Sequence, residues 1–364
     1  MKGLPGFPGL RMRRMIGNAR TPAANLLVHA DNVTALTTFL EVPSVARRVR
    51  LVYIDPPFST GQEFRIGPGR VATISRSKHD RLAYCDSLSG ERYLDFLRER
   101  LVLLRQLLAV DGSIYVHIDD KVGHYVKILL DELFGAENFR NDITRIKCNP
   151  KNFSRKGFGN IKDRILFYTK SSRFVWNEPL ETMTDGDVER LFRKQDGRGR
   201  RYTTTPLHAP GETRNGATGE QWKGMQPPAG RHWRVSPEEL SRLDAAQLIE
   251  WSRTGNPRKK IYADDIRSKG KKIQDVWELK DPPYPEYPTQ KNIDVLRRII
   301  AASSMPGDLV LDCFAGSGTA LVAAEELGRR WIGIDQSAEA VRVARSRLRS
   351  TYLHATFIEC ESVG

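Results

Sequence analysis

Apolar positions along the chain follow two periods. Short runs at Asn25–His29, Leu51–Ile54 and Ser113–Ile118 read as strands, and apolar residues three and four apart around Val33–Leu40 and across Tyr93–Leu108 read as helices. After Pro288 the pattern repeats, with a helix over Asn292–Ala302, a strand at Leu309–Leu311, a glycine turn, a helix over Thr319–Leu327 and a strand at Trp331–Ile334. Strands alternating with helices predict an α/β fold, a parallel sheet flanked by helices on both faces. Ligands of such sheets sit at the carboxyl ends of the strands.

Between about Asn177 and Gln274 the periods lapse into Gly, Pro, Arg, Lys and Trp. A stretch that long is better read as a separate inserted region than as one loop. The expected organisation is a loose arm at 1–24, a first half of the α/β domain at 25–176, an inserted region at 177–276, a second half at 277–352 and a tail at 353–364.

Charge sharpens this division. The net charge is +14, and residues 141–280 carry 29 Lys and Arg against 18 Asp and Glu, or +11 of it. The middle of the chain is therefore the candidate face for a polyanion, and Arg200, Arg201, Lys259 and Lys260 are candidates for phosphate contact. No run approaches the roughly 18 apolar residues of a membrane span, and the N-terminus has no apolar signal core, so a cytoplasmic protein with no membrane association is expected. Cys85, Cys148, Cys313 and Cys360 are scattered without the spacing of a metal site or disulfide framework, so reduced thiols and no metal are expected.

Asp308–Thr319 (DLVLDCFAGSGT) is a strand running into a turn that needs glycine, then a helix start. Trp331–Asp335 (WIGID) adds a strand ending in a carboxylate able to grip both hydroxyls of a ribose. The spacing is not the three-glycine pattern of a dinucleotide fold, and no lysine follows to make a phosphate loop. A nucleoside cofactor without phosphates fits better.

Leu51–Phe58 (LVYIDPPF) is an apolar strand that stops at Asp55, with two prolines that preclude a helix and lack N–H donors. Acceptors and a ring remain. Asp55 and the Pro56 carbonyl can each accept one N–H of an exocyclic amine, Pro57 stiffens the turn, and Phe58 can stack on the base. A second copy, Asp281–Tyr284 (DPPY), follows a charged segment rather than a strand and is expected to be a linker.

These motifs, with Asp55–Phe58 first, the basic region second and the glycine turn last, closely resemble the beta-class amino-methylating DNA methyltransferases, including modification subunits of restriction systems. The resemblance implies a Rossmann-like methyltransferase sheet in permuted motif order, with the inserted region as target-recognition region. It implies S-adenosylmethionine as cofactor, lying along Asp312, Phe314, Gly316, Gly318 and Thr319, with Asp335 on its ribose and the early acidic residue Asp31 nearby. Pro288–Lys291 (PTQK) is similar to the family's element for the methionine end, which implies Thr289 and Lys291 at its carboxylate. Asp55, Pro56, Pro57 and Phe58 would form the catalytic tetrapeptide, and the strand-end His117 is read as a packing residue.

The implied substrate is a base flipped out of double-stranded DNA. Adenine N6 is favoured, because Asp rather than Ser stands at position 55, and cytosine N4 is the alternative. Cytosine C5 chemistry needs a cysteine after proline, and Cys148 follows Lys147. A DNA-binding protein with a degenerate pocket is the remoter alternative, opposed by the intact motifs. A homodimer and a cognate restriction endonuclease are further partners that the resemblance implies.

Overall fold

The computed structural model describes residues 3–4, 6–17, 24–57, 62–66, 81–86, 90–150, 154, 156–283, 285, 290–352 and 354–362. The chain divides into two compact units, Met1–Pro179 with Gln274–Gly364, and Leu180–Ile273.

The first unit is built on strands β1 (Phe7–Ile16), β2 (Asn25–His29), β3 (Val49–Ile54), β4 (Leu108–Ile118), β5 (Phe139–Ile146), β6 (Lys162–Thr169), β7 (Leu309–Asp312), β8 (Arg330–Asp335) and β9 (Phe357–Ser362). Among the described residues they form one sheet in the order Gly3–Leu4, β1, β9, β2, β8, β7, β3, β4, β6, β5 and Val276–Trp277. From β9 to β4 the strands are parallel. β6 runs antiparallel to both of its neighbours, and β1 antiparallel to β9.

Helices α1 (Asn32–Leu40), α2 (Glu91–Leu107) and α3 (Gly123–Phe134) pack on one another, and α4 (Ile293–Ser303), α5 (Thr319–Glu326) and α6 (Ala338–Thr351) form a second set. Strand side chains alternate between two faces. Leu26, Val28, Val52, Ile54, Ile114 and Val116 join the core beneath the first set. On the other face the Tyr115 hydroxyl meets Ser303 of α4 at 2.7 Å. This is a Rossmann-like α/β sheet with helices on both faces.

Two expectations at the chain ends are corrected. Within the expected loose arm, Phe7–Ile16 is a sheet strand whose Phe7 and Leu10 are buried. Within the expected tail, β9 lies between β1 and β2 and buries Phe357, Ile358 and Cys360. Local sequence hid both, because Pro8, Gly9 and three arginines break up the apolar positions of one strand, and Glu359 and Glu361 interrupt those of the other. Burying three such side chains contributes on the order of 5 kcal/mol, which only the finished sheet makes available.

The second unit has its own folding logic. Arg201–Pro206 pairs antiparallel with Pro257–Tyr262, with Lys194–Gln195 and Ile249–Trp251 outside them. Its core is Leu207, Trp222, Trp233, Leu240, Leu243 and Ile249. Helix Pro237–Ala245 starts with Ser236 accepting the Glu239 N–H at 3.4 Å. Three tryptophans and strands of two to six residues leave no period to read. No helix among the described residues is long and apolar enough to cross a membrane.

Candidate active site

The chain leaves β3 towards β4 on one side of the sheet, and leaves β7 towards β8 on the other. The reversal between β3 and β7 opens a crevice at their carboxyl ends, where open α/β sheets bind ligands. Val52 is registered with Leu311, so Asp55 and Phe314, each three residues on, leave the sheet side by side. The two stretches singled out in the sequence, more than 250 residues apart, converge here.

The glycine turn follows β7. Gly316 and Gly318 have φ of +52° and +74°, which L side chains adopt only at a cost. A Cβ on Gly318 would also lie 2.8 Å from the Ala344 Cβ. The Gly316 N–H donates to Asp335 Oδ2 and the Ser337 N–H to Asp335 Oδ1, both at 2.8 Å. Each Asp335 oxygen keeps a further lone pair, and two vicinal hydroxyls match that pair of acceptors. Burial pushes the Asp335 carboxyl up. Asp312 accepts the Phe314 N–H at 2.9 Å, and burial, then the charges of Asp55 and Asp335, push its carboxyl well above the usual range. Three carboxyl groups around one crevice suit a cationic nucleoside.

Asp55 lies on the α4 side. The Lys291 Nζ, one residue before the Asn292 cap of α4, is 2.6 Å from Asp55 Oδ2, and Lys291 is 8% exposed. Asp55 Oδ1 is shut away from solvent and has no hydrogen-bond partner among the described residues. Pro56 is buried beside it.

Behind Asp55 lies a polar cluster that the motifs did not announce. Tyr53 Oη meets His117 Nδ1 at 2.8 Å, and His117 Nε2 meets Asp163 Oδ2 at 3.0 Å. Arg145 donates to the same Asp163 oxygen at 3.2 Å, donates to the Leu279 carbonyl at 2.7 Å and forms an ion pair with Asp281. Burial opposes charge on Asp163, but His117, Arg145 and Lys291 together hold its carboxyl well below the usual range. Burial, with Asp55 and Asp312 nearby, pushes the Tyr53 hydroxyl far up. His117 is buried as a packing residue would be, yet both ring nitrogens are engaged. Asp281, expected in a linker, is anchored to a fully buried arginine. A charged side chain in the strand runs Phe139–Ile146 and Lys162–Thr169 was the available signal.

The other expected cofactor residues divide. Asp31 caps α1, accepting the Thr34 N–H at 3.1 Å, and lies 3.6 Å from Arg100. Its neighbour Asn32, which the motif reading passed over, donates to the Cys313 carbonyl at 3.1 Å and accepts from Arg100 Nε at 2.7 Å. Arg100 stacks over Phe96 at 3.6 Å, and Phe96 lies 6.0 Å from Phe314. An arginine in the apolar seam of α2, between the buried Leu97, Leu101 and Leu104, could have flagged this support. Thr319 accepts from Arg347 at 3.0 Å, together with Ser317, so its hydroxyl holds α6 to the turn. Phe58 and Thr289 lie outside the described residues.

In the second unit, Arg200 faces Asp264 and Asp265 at 3.2 and 3.4 Å and stacks on Tyr262 at 4.0 Å. Arg201 donates to the Phe192 carbonyl at 3.4 Å, and Lys260 to the Gln247 carbonyl at 3.1 Å. Lys259 is registered with Thr205 on one side and Ile249 on the other. Three of the four expected phosphate contacts thus hold internal partners, an acidic pair for Arg200 and neutral backbone carbonyls for Arg201 and Lys260.

The sequence of residues 49–346 matches the N6/N4 methyltransferase family, described as DNA methylase. The chain belongs to this family of DNA methylases. The match spans both halves of the α/β unit and the segment between them, from the strand that carries Asp55 to the helix beyond Asp335. This methylase is 42% identical over 329 residues to the type II methyltransferase M.EcaI of Enterobacter cloacae, covering 89% of this chain and 69% of the relative. It is 25% identical over 399 residues to a probable type III restriction-modification HindVI Mod subunit of Haemophilus influenzae, covering 90% of this chain. The chain spans about half of that subunit's length, 51%. The solved structure of the cytosine-N4-specific PvuII DNA methyltransferase shares the fold with a TM-score of 0.50 at 13% identity, over 91% of this chain and 90% of that one.

Proposed function

We propose that this methylase transfers a methyl group from S-adenosylmethionine to the N6 amino group of an adenine flipped out of duplex DNA. The observation that carries the reading is Asp55 at the switch point, with one carboxylate oxygen buried and, among the described residues, unpartnered. The cofactor fits the residues present: Asp335 offers two acceptors to a ribose, the turn offers close backbone, and the carboxyl groups of Asp312 and Asp55 favour a sulfonium. Phe314, Gly316 and Gly318 would line it, with Asp31 acting through the cap of α1 and Thr319 through the seating of α6. Thr289 and Lys291 are proposed at the methionine end.

When bound, the cofactor supplies an electrophilic methyl carbon whose bond to sulfur breaks as the bond to the amino nitrogen forms, the electron pair staying on sulfur. Asp55 Oδ1 and the Pro56 carbonyl accept the two amine protons, which turns the nitrogen lone pair towards that carbon. Pro57 fixes the turn and Phe58 stacks on the base. As charge develops on nitrogen, the Asp55 carboxylate stabilises it and takes the surplus proton.

Residues 177–276, which contain the second compact unit, are proposed as the target-recognition region, and Arg201, Lys259 and Lys260 with Arg200 as its phosphate-contacting face. A cognate restriction endonuclease is part of the same proposal, supported by the restriction-modification names of relatives, and a homodimer and a cytoplasmic location are proposed with it. Incubation with plasmid DNA and labelled cofactor, followed by mass analysis of nucleosides, tests it. N6-methyladenine is expected. N4-methylcytosine would move the target base and keep the chemistry, whereas 5-methylcytosine alone would overturn it.

A further inference from the structure

A lysine ammonium and a carboxylate taken out of water together are at best neutral for stability unless further partners surround them. Lys291 and Asp55 are so surrounded. Asp55 pairs with Lys291 at 2.6 Å, the Lys291 charge is the least of those that hold the Asp163 carboxyl down, Asp163 accepts from Arg145 at 3.2 Å, and Arg145 pairs with Asp281. Negative and positive groups alternate along this line from the second Asp-Pro-Pro segment to the first. His117 enters from the side at 3.0 Å from Asp163 and is itself fixed by Tyr53, two residues before Asp55 on the same strand.

The consequence falls on one atom. Lys291 takes Oδ2 of Asp55 and leaves Oδ1 buried and unpartnered among the described residues. A carboxylate free to rotate would present either oxygen, or turn from the crevice. One clamped on Oδ2 presents a single acceptor in a fixed direction.

We propose that Lys291 is a positioning residue that fixes the Asp55 carboxylate so that Oδ1 alone faces the target amine, and that Asp281, Arg145 and Asp163 seat Lys291 for this task. The second Asp-Pro-Pro segment thereby orients the first. The inference rests on the reading of Asp55 as the amine acceptor, and extends it to residues outside the catalytic tetrapeptide. It also separates Lys291 from a role confined to binding the cofactor's carboxylate. Loss of that binding would raise the dissociation constant and be overcome by saturation, whereas loss of orientation would persist at saturation.

The test uses the full chain, with methyl transfer to duplex DNA measured at saturating S-adenosylmethionine and S-adenosylhomocysteine affinity measured by calorimetry. Lys291→Met is expected to lower kcat about a hundredfold at saturation, within the range for removal of one preorganised electrostatic contact and over and above any loss of affinity for the cofactor's carboxylate. Lys291→Arg restores kcat to within about tenfold of the parent. Arg145 is buried and its replacement risks the fold, so Asp281→Asn, at a partly exposed carboxylate, is the second variant, expected to lower kcat about fivefold with affinity unchanged. A crystal structure of Lys291→Met should show Asp55 turned from its present orientation. Parental kcat at saturation in Lys291→Met, whether or not cofactor affinity falls, overturns the proposal. Parental turnover by Asp55→Ala would instead remove the underlying reading of Asp55, so the two failures are distinguishable.

Discussion

The Asp335 carboxylate accepts the Gly316 N–H at 2.8 Å, so the end of β8 closes the turn that follows β7. One side chain therefore shapes the turn and, in the proposed arrangement, also presents acceptors to a ribose. Asp335→Ala should weaken S-adenosylhomocysteine binding about a hundredfold by calorimetry, because it removes two acceptors and leaves a buried N–H unpaired. A change below threefold would place the ribose elsewhere.

Asp55→Ala should reduce methyl transfer by at least about a thousandfold while cofactor affinity stays within about twofold. The carboxylate faces the amine in the proposed arrangement, not the nucleoside. Rapid turnover by this variant, measured with labelled cofactor, would take Asp55 out of the mechanism.

Gly318→Ala should destabilise the fold and the turn together. Its φ of +74° costs an alanine about 1–2 kcal/mol, and the added carbon would meet Ala344 at 2.8 Å. Urea unfolding should show a loss of about 2–3 kcal/mol, with cofactor affinity reduced about tenfold. An unchanged midpoint would mean that the turn relaxes without strain.

The Asp163 carboxyl is held below its ordinary value by His117, Arg145 and Lys291 against the opposing effect of burial. A depressed folded value stabilises the protein above the unfolded carboxyl's pKa of about 3.9, and that contribution is lost as pH falls further. Asp163→Asn should lower stability near neutral pH by about 3–5 kcal/mol, since it leaves buried cations under-compensated. It should also flatten the dependence of unfolding free energy on pH below about 4. A parental acid slope in the variant would assign that titration to other carboxylates.

Much of the fold was legible because local pattern and global structure agree. Asn25–His29 is a strand with the expected ends, and Leu51–Ile54, Leu309–Leu311 and Trp331–Ile334 differ from the observed strands by one or two residues. Each is an apolar run in the middle of a parallel sheet, buried on both faces, so its composition alone marks it. The edges were less legible. β1 carries three arginines, Arg11, Arg13 and Arg14, at positions that are exposed or partly so, and β9 gains its meaning only from the neighbours that flank it.

Sequence by itself determined the chemistry on offer at two strand ends: a carboxylate followed by two prolines, and a glycine turn answered by a second carboxylate. These are local facts, since proline and glycine restrict or free their own backbone whatever surrounds them. Tertiary structure alone decided which oxygen of Asp55 pairs with Lys291, that Asp281 anchors a buried arginine, that Thr319 serves α6, and that Arg200 is met by Asp264 and Asp265. Ion pairing depends on distances between residues far apart in the chain, and those distances exist only once the sheet has closed.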